Sequence, residues 1–302
     1  MKSDNLKESR NIEDRRGQSY SQSSGNSNLG GGILQILLSP GSFKSKIVII
    51  LLMVLLGGGA SLGGLFGNGT SQPYQSTQVT RTNKTHVDDA DAQFVSKVLG
   101  TTEDHWHKVF QAEGRIYHEP KLVFYTGRTK TGCGVGQASA GPFYCPTDKK
   151  IYLDMSFYKE LTTKYKASGD FAMAYVIAHE VGHHVQNELG ILGKYHRMQQ
   201  GVSEKERNAI SVRIELQADY LAGVWARSIQ DRNLLDIGDI EEAMNAAHAV
   251  GDDTLQEQAY GYSVPDSFTH GTSEQRMRWF KRGYQYGDLQ HGDTFSLSDS
   301  EL

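Results

Sequence analysis

Four titratable side chains lie within six positions near the middle of the chain: His179, Glu180, His183 and His184, in the stretch AYVIAHEVGHHVQNELG. Residues four apart on an α-helix differ by about 40° around its axis, so His179 and His183 project from one side. Two imidazoles placed in this way can bind one zinc ion, and Glu180 beside them can accept a proton from water. The spacing therefore predicts a catalytic zinc site with Glu180 as its general base.

The residues around these histidines are apolar or small, which indicates that their helix is mostly buried. An imidazole without a partner would be costly there, and a bound metal removes that cost. His184 lies about 100° beyond His183 and is expected either to support a ligand or to reach the surface. Gly182 costs about 1 kcal/mol relative to alanine inside a helix, so we expect another backbone or helix to approach closely there.

A catalytic zinc needs a third protein ligand and an open fourth position. No histidine follows His183 at a spacing that would complete the site, and the best candidate is Glu215 in RIELQADYLAG, on an otherwise apolar stripe. Asp219 lies one turn further along the same face and is predicted to accept the free ring N–H of a ligating histidine. The alternative is that both carboxylates pair with nearby basic residues on a solvated face.

Four stretches, GPFYCPTDKKIYLD, AHEVGHHVQ, ELQADYLAGVWA and FTHGTSEQRMRWF, resemble the neutral zinc metallopeptidase family of bacterial membrane-anchored proteins. The resemblance spans approximately residues 89–286. It implies a zincin-like peptidase with one zinc ion on His179, His183 and Glu215, with Glu180 as base. It also implies protein or peptide substrates.

The last of these stretches contains two further candidates. A peptidase needs a hydrogen-bond donor for the oxyanion that forms at the scissile carbonyl, and His270 is predicted to supply it. The alternative is that His270 only precedes a capped helix and that Arg276 binds a carbonyl or carboxylate structurally. The stretch QASAGPFY is a candidate strand for holding an extended substrate by main-chain pairing.

The elements that must position these side chains follow from periodicity and from turn residues. The pattern predicts an α+β domain that is mostly helical, with a small β-sheet. Two short helices are expected to end at Gly100 and Gly114, followed by strands at KLVFYTG and KKIYLD. Further helices are predicted at MSFYKELTTKY, 171–189, 203–229, DIEEAMNAAHAV and SEQRMRWFKRGY, the last of them capped by Thr272 or Ser273.

Composition divides the rest of the chain. Residues 1–46 are polar and predicted to be a disordered arm, and 67–88 a linker to the domain at 89–286. The acidic tail 287–302 is also predicted to be disordered. Residues 47–66 carry no charge and match the approximately 20 residues that cross a bilayer, which predicts one transmembrane helix. A cleaved signal peptide, or a buried helix followed by a glycine linker, is the alternative.

Basic residues on the N-terminal side of this stretch predict a cytoplasmic N-terminus and a periplasmic or extracellular domain; they are Lys2, Lys7, Arg10, Arg15, Arg16, Lys44 and Lys46. A disulfide between Cys133 and Cys145 is expected in that compartment, the alternative being two unconnected thiols. The formal net charge of -4, with 31 basic and 35 acidic residues, does not favour a nucleic-acid partner.

These patterns together predict a single-pass, membrane-anchored zinc-dependent endopeptidase. A zinc-binding adaptor or assembly factor without turnover is one alternative, and a zinc-dependent amidase acting on cell-wall peptides is another.

Overall fold

The computed structural model describes residues 1–18 and 89–302. The described residues confirm an α+β fold that is mostly helical with a small sheet. Their strands are β1 Ile12–Asp14, β2 Lys121–Tyr125, β3 Arg128–Thr131, β4 Gly134–Gln137, β5 Phe143–Cys145 and β6 Lys150–Asp154. Their helices are α1 Ala90–Ala112, α2 Ser156–Thr163, α3 Asp170–Glu188, α4 Ile191–Met198, α5 Glu204–Asp231, α6 Asp239–Ala249, α7 Asp252–Tyr260 and α8 Ser273–Tyr286.

The main sheet has the strand order β1-β2-β6-β5. Strands β1, β2 and β6 are parallel, and β5 runs antiparallel to β6 at the edge. Because successive side chains of a strand face opposite sides, Leu122 and Phe124 of β2 enter the main core. Val123 and Tyr125 face the other side and pack with Tyr152. Strands β3 and β4 form a separate antiparallel hairpin.

The histidine helix, α3, packs against α1, α5 and α6, and α5 packs along α8. The α5–α8 crossing is close because it has glycine on both sides. A Cβ on Gly223 would lie 2.1 Å from the Phe280 carbonyl oxygen, and one on Gly283 would lie 1.9 Å from that of Tyr220. Such a crossing brings the side chains of α8 directly against the helix that carries Glu215.

The predicted helices are recovered, except that two of them merge into one and two further helices are present. The two short helices before β2 are one helix, α1, which continues through Gly100. Gly100 is therefore no helix end; a Cβ at this position would lie 2.8 Å from the carbonyl oxygen of Lys7. The polar stretch after α3 contains α4, and α7 precedes the loop that carries His270. The predicted cap of α8 is Thr272, in a capping box with Gln275.

The prediction of a disordered arm over 1–46 is wrong for residues 1–18. Met1 is buried in the main core, Leu6 packs against it, and Ile12–Asp14 form β1. This segment is ordered without much apolar surface because its backbone pairs with β2 and its charged side chains have partners. The remainder of the arm, residues 19–46, lies outside the described residues.

The prediction of a disordered tail over 287–302 is also wrong. Leu302 and Thr294 are buried. Long side chains of α5 bind backbone carbonyls of the tail, since Gln217 Nε2 donates to the Gly292 oxygen at 2.9 Å and Arg213 Nη1 donates to the Leu297 oxygen at 2.8 Å. The tail is therefore held mainly through its main chain, which composition does not reveal.

No helix among residues 1–18 and 89–302 is long and apolar enough to cross a membrane. The predicted span 47–66 and the linker 67–88 lie outside the described residues, so those predictions stay predictions. The predicted disulfide is confirmed: Cys133 and Cys145 are bonded, with 5.8 Å between their Cα atoms. It ties the turn of the β3–β4 hairpin to the edge strand β5.

Candidate metal centre

The first two proposed ligands lie on α3, as their spacing predicts. The imidazole rings of His179 and His183 face each other with 4.8 Å between their centroids. The helix around them is buried because almost every residue from Phe171 to Val185 faces a neighbouring element. The two rings are held in a packed interior and not on a solvated helix face.

Glu215 reaches the same point from α5. Its Oε2 lies 3.2 Å from His179 Nε2 and 3.5 Å from His183 Nε2. A tetrahedral zinc ion with bonds of about 2.0–2.1 Å places its ligand atoms about 3.3–3.4 Å apart. The two measured separations lie on either side of this value. The three side chains therefore have the chemistry and the spacing that zinc requires.

The Nδ1 atom of each histidine ring faces a hydrogen-bond acceptor, which leaves the Nε2 atom for a metal. His179 Nδ1 lies 2.8 Å from Asp219 Oδ1, and His183 Nδ1 lies 2.9 Å from Gln186 Oε1. The Gln186 amide has this orientation because its Nε2 donates to the Ile214 carbonyl at 2.8 Å. With Nδ1–H donating, each Nε2 keeps its lone pair for a metal beside Glu215.

Asp219 is the centre of a buried hydrogen-bonded network. Tyr175 Oη donates to its Oδ1 at 2.5 Å, and Arg276 donates from Nε at 2.9 Å and from Nη2 at 3.0 Å. Burial alone would raise the pKa of Asp219, but the Arg276 guanidinium and His179 lower it to about 2. Asp219 is therefore ionised at neutral pH, and its carboxylate orients the His179 ring.

Arg276 thus has the structural partner that the alternative interpretation of the sequence gave it, a carboxylate. Sequence reasoning did not find that this carboxylate is Asp219, nor that Tyr175 joins the network. Tyr175 precedes His179 by one helical turn, and Gln186 follows His183 at a spacing of three, so both lie within reach on α3. Arg276 offers no such local signal because it comes from α8.

The charges at the centre suit a divalent cation. Burial would raise the pKa of Glu215, but the neighbouring histidines lower it well below its usual range. Burial would lower the pKa of His183, but the Glu215 carboxylate raises it to about 9. A buried carboxylate therefore demands positive charge at this point, and a divalent ion on the Nε2 atoms can supply it in place of a proton.

Glu180 is 7% exposed and lies next to His179 on α3. No side chain or backbone group of the described residues donates a hydrogen bond to its carboxylate. An unengaged carboxylate beside the ligand cluster can accept a proton from a water molecule.

His270 lies on the loop between α7 and α8, with 49% of its side chain exposed. Asp252 holds this loop: its Oδ2 accepts the backbone N–H groups of residues 269, 270 and 271 at 2.7, 2.6 and 3.1 Å. Its Oδ1 lies 3.3 Å from His270 Nδ1. Desolvation of the ring would lower the pKa of His270, but the carboxylates of Glu215 and then of Asp252 raise it.

His184 has a structural position on the opposite side of α3. It is fully buried, with Nδ1 3.0 Å from Tyr144 Oη and Nε2 2.6 Å from the His118 carbonyl oxygen. His184 therefore joins the histidine helix to the edge strand β5, which carries Tyr144. The predicted substrate-binding stretch QASAGPFY is only partly strand, since it contains the end of β4, a short 3-10 turn and the start of β5.

The close approach predicted at Gly182 is confirmed. A Cβ at this position would lie 2.9 Å from the Ala218 carbonyl oxygen and 3.2 Å from the Ala218 Cα. Gly182 is adjacent to His183, and Ala218 lies one turn after Glu215. The missing side chain therefore sets the distance between the two helices that carry the ligands.

A second acidic group of the described residues, Asp170, Asp239 and Glu242, also has the spacing of a metal site. The amino group of Met1 lies 2.8 Å from Asp170 Oδ1 and 3.4 Å from Asp239 Oδ1. Glu242 accepts the Phe171 N–H at 3.0 Å. These carboxylates thus already have a cationic partner, and the histidine cluster is the better candidate.

The described residues thus combine a His-Glu-x-x-His helix, a carboxylate from the next long helix and a small mixed sheet. The chain belongs to the family described as "Putative neutral zinc metallopeptidase", whose model matches residues 1–295. The family predicted from the motifs is therefore confirmed.

Two relatives illustrate the similarity. The chain is 49% identical over 292 residues to "Uncharacterized protein YpfJ" of Escherichia coli strain K12, covering 97% of this chain and 98% of the relative. It is 44% identical over 194 residues to "Uncharacterized protein Mb2605" of Mycobacterium bovis, covering 61% of this chain and 64% of the relative. No solved structure matches this chain significantly.

Proposed function

We propose that this protein is a zinc-dependent endopeptidase with one ion bound by His179, His183 and Glu215. The observation that carries the proposal is the separation of 3.2 and 3.5 Å between the Glu215 oxygen and the two imidazole Nε2 atoms. Three ligands leave a fourth position for water or substrate, as in catalytic zinc sites. Glu180 adjoins the proposed ligand His179 on α3, and no group of the described residues donates a hydrogen bond to its carboxylate.

When bound, zinc supplies Lewis acidity and lowers the pKa of water to about 7. The side chains of the protein transfer the proton, orient the ligands and stabilise the oxyanion. Glu180 accepts a proton from the attacking water and passes it to the leaving amine. Asp219 and Gln186 hold the two ligand rings in the tautomer that presents Nε2. His270, positioned by Asp252, donates a hydrogen bond to the oxyanion of the substrate.

Proteins or peptides in extended conformation are the proposed substrates. Strand β5 is at the edge of the sheet and beside α3, and a free strand edge can pair with an extended peptide. The contact of Tyr144 with His184 supports this interpretation, because it fixes β5 relative to the helix of the ligands. The uncharged stretch 47–66 supports attachment of the enzyme to a membrane.

A zinc-binding adaptor without turnover and an amidase acting on cell-wall peptides are the competing proposals. A structural zinc site usually closes its fourth position and needs no unpaired carboxylate, so the buried Glu180 favours an enzyme. The amidase would use the same residues and differ only in substrate.

The test is turnover by the full chain, loaded with zinc, against an unfolded protein and against cell-wall peptide fragments. We expect cleavage of the unfolded protein, and Glu180→Gln should lower kcat by about 10²- to 10⁴-fold or more with unchanged zinc content. Glu241→Gln, at an exposed position of α6, is the matched control and should leave kcat unchanged. Equal activity of wild type and Glu180→Gln would exclude the proposed base. Bound zinc without any turnover would favour the adaptor, and hydrolysis of cell-wall fragments alone would favour the amidase.

A further inference from the structure

Residues 1–18 supply an edge strand to the sheet that lies beside the histidine helix. Strand β1 pairs in parallel with β2 in the register Ile12 to Leu122, Glu13 to Val123 and Asp14 to Phe124. The ladder continues at both ends: the Leu122 N–H donates to the oxygen of residue 11 at 2.8 Å, and the N–H of residue 15 donates to the Phe124 oxygen at 2.8 Å. The segment therefore covers the edge of β2 along its length.

Side chains of this segment bind groups far along the chain. Glu13 Oε2 lies 2.7 Å from Lys150 Nζ on β6, and Arg15 Nη1 donates to the Lys130 carbonyl oxygen at 2.9 Å. Ser9 Oγ donates to Glu103 Oε1 on α1 at 2.6 Å. The segment thus contacts the sheet, the hairpin and α1 through specific polar bonds.

Helix α1 has a glycine where this segment crosses it. A Cβ on Gly100 would lie 2.8 Å from the carbonyl oxygen of Lys7 and 3.4 Å from the backbone nitrogen of Ser9. The Ser9 N–H also donates to the Ser96 carbonyl oxygen at 3.0 Å. Glycine is unfavourable inside a helix by about 1 kcal/mol relative to alanine. The docked segment supplies the physical reason for glycine at this position.

We propose that residues 1–18 are an integral part of the catalytic domain and lie on the same side of any membrane as residues 89–302. Strand pairing needs direct contact, and the hydrocarbon core of a bilayer is about 30 Å thick. An odd number of crossings between residues 18 and 89 is therefore incompatible with the β1–β2 ladder. The single pass predicted at 47–66, with the N-terminus and the domain on opposite sides, cannot coexist with this pairing.

The basic residues that predicted a cytoplasmic N-terminus include two with structural roles here. Arg15 is paired with Glu13, and Arg16 is paired with Asp14 and with Asp89. Their positive charges are thus part of the folded domain. Because Arg15 and Arg16 have structural roles, the excess of basic residues before residue 47 is weaker evidence for a cytoplasmic N-terminus than their number indicates.

Sidedness is tested with the full chain in intact cells by labelling introduced thiols with a membrane-impermeant maleimide. The native cysteines are disulfide-bonded, so Asp4→Cys and Ile237→Cys each add one free exposed thiol. We expect both variants to react, or both to be protected until the cells are opened. Labelling of one and protection of the other would overturn the proposal.

Docking of the segment is tested by the sign of a stability change in the purified full chain. Gly100→Ala should lower Tm, because the added methyl meets the Lys7 carbonyl. Gly193→Ala in α4 is the matched control, since its Cβ would meet only the Arg197 Nη1 atom at 3.7 Å, and it should raise Tm. If Gly100→Ala raises Tm as the control does, the segment is not docked on α1.

The ion pair between β1 and β6 gives an independent check. Glu13→Lys and Lys150→Glu should each lower Tm, and the double exchange should recover part of the loss. Additive losses in the double variant would contradict the pairing of β1 in solution.

Discussion

Replacing Asp219 by asparagine perturbs the hydrogen-bonded network behind His179 while keeping the size and shape of the side chain at position 219. The carboxylate accepts hydrogen bonds from Tyr175 Oη and from two nitrogens of Arg276, and it faces His179 Nδ1. Asparagine has only one acceptor oxygen. Whichever way its amide is oriented, an N–H group of the amide faces either the guanidinium or the imidazole N–H.

Two magnitudes follow from this geometry. Asp219 and Arg276 are both buried, and removing one member of a buried ion pair costs about 3–5 kcal/mol. Loss of the acceptor that orients a metal-binding histidine lowers metal affinity by about 10- to 100-fold. We therefore expect Asp219→Asn to be less stable by several kcal/mol and to bind zinc more weakly.

The assays are denaturant unfolding of the metal-free chain and zinc competition against a chelator. Asp231→Asn is the matched control, because this aspartate lies on the same helix and also pairs with an arginine, Arg227 at 3.1 Å, but at the surface. It should change stability by about 0.5 kcal/mol or less and leave zinc affinity unchanged. If Asp219→Asn behaves like this control in both assays, the proposed network does not support the metal centre.

Further predictions concern helix spacing, pH and the disulfide. Gly182→Ala places a methyl 2.9 Å from the Ala218 oxygen, so it should separate the ligand helices and weaken zinc binding in the same chelator assay; unchanged affinity would contradict this. Burial would raise the pKa of Glu13, but its basic partners lower it from 4.5 to about 2. Its contribution to stability should be complete above pH 4.5 and lost as the pH falls toward 2, so Glu13→Gln should flatten Tm against pH in that window; a parallel pair of curves would refute the ion pairs. Reducing the bond between Cys133 and Cys145 should cost about 3 kcal/mol on unfolding and leave zinc affinity unchanged; loss of zinc would show that the bond positions the ligands.

The two histidine ligands could be predicted from the sequence because their arrangement depends only on the spacing within one helix. Four residues separate His179 from His183, and the helical period alone places both rings on one side. Glu215 was accessible because a carboxylate stood on an apolar stripe of a long helix. The close approach at Gly182 could also be predicted locally, because a glycine inside a helix is unfavourable unless another element packs closely against it.

The remaining features depend on contacts between distant parts of the chain. Strand β1 is only the three residues Ile12–Asp14, two of them acidic, and no alternation of side chains marks it as a strand. Gly100 gave an ambiguous signal, because a helix end and a close approach both favour glycine. Arg276 and Asp219 are 57 residues apart, and only the α5–α8 crossing brings them together.

We propose that His179, His183 and Glu215 bind one divalent ion together. The most direct measurement is the zinc content and zinc affinity of the full-length wild type, of Glu215→Ala and of Glu180→Gln. We predict one ion per chain in wild type and in Glu180→Gln, and a loss of affinity in Glu215→Ala that exceeds the approximately 10- to 100-fold effect of removing an outer contact. Wild-type zinc affinity in Glu215→Ala would exclude Glu215 as a ligand.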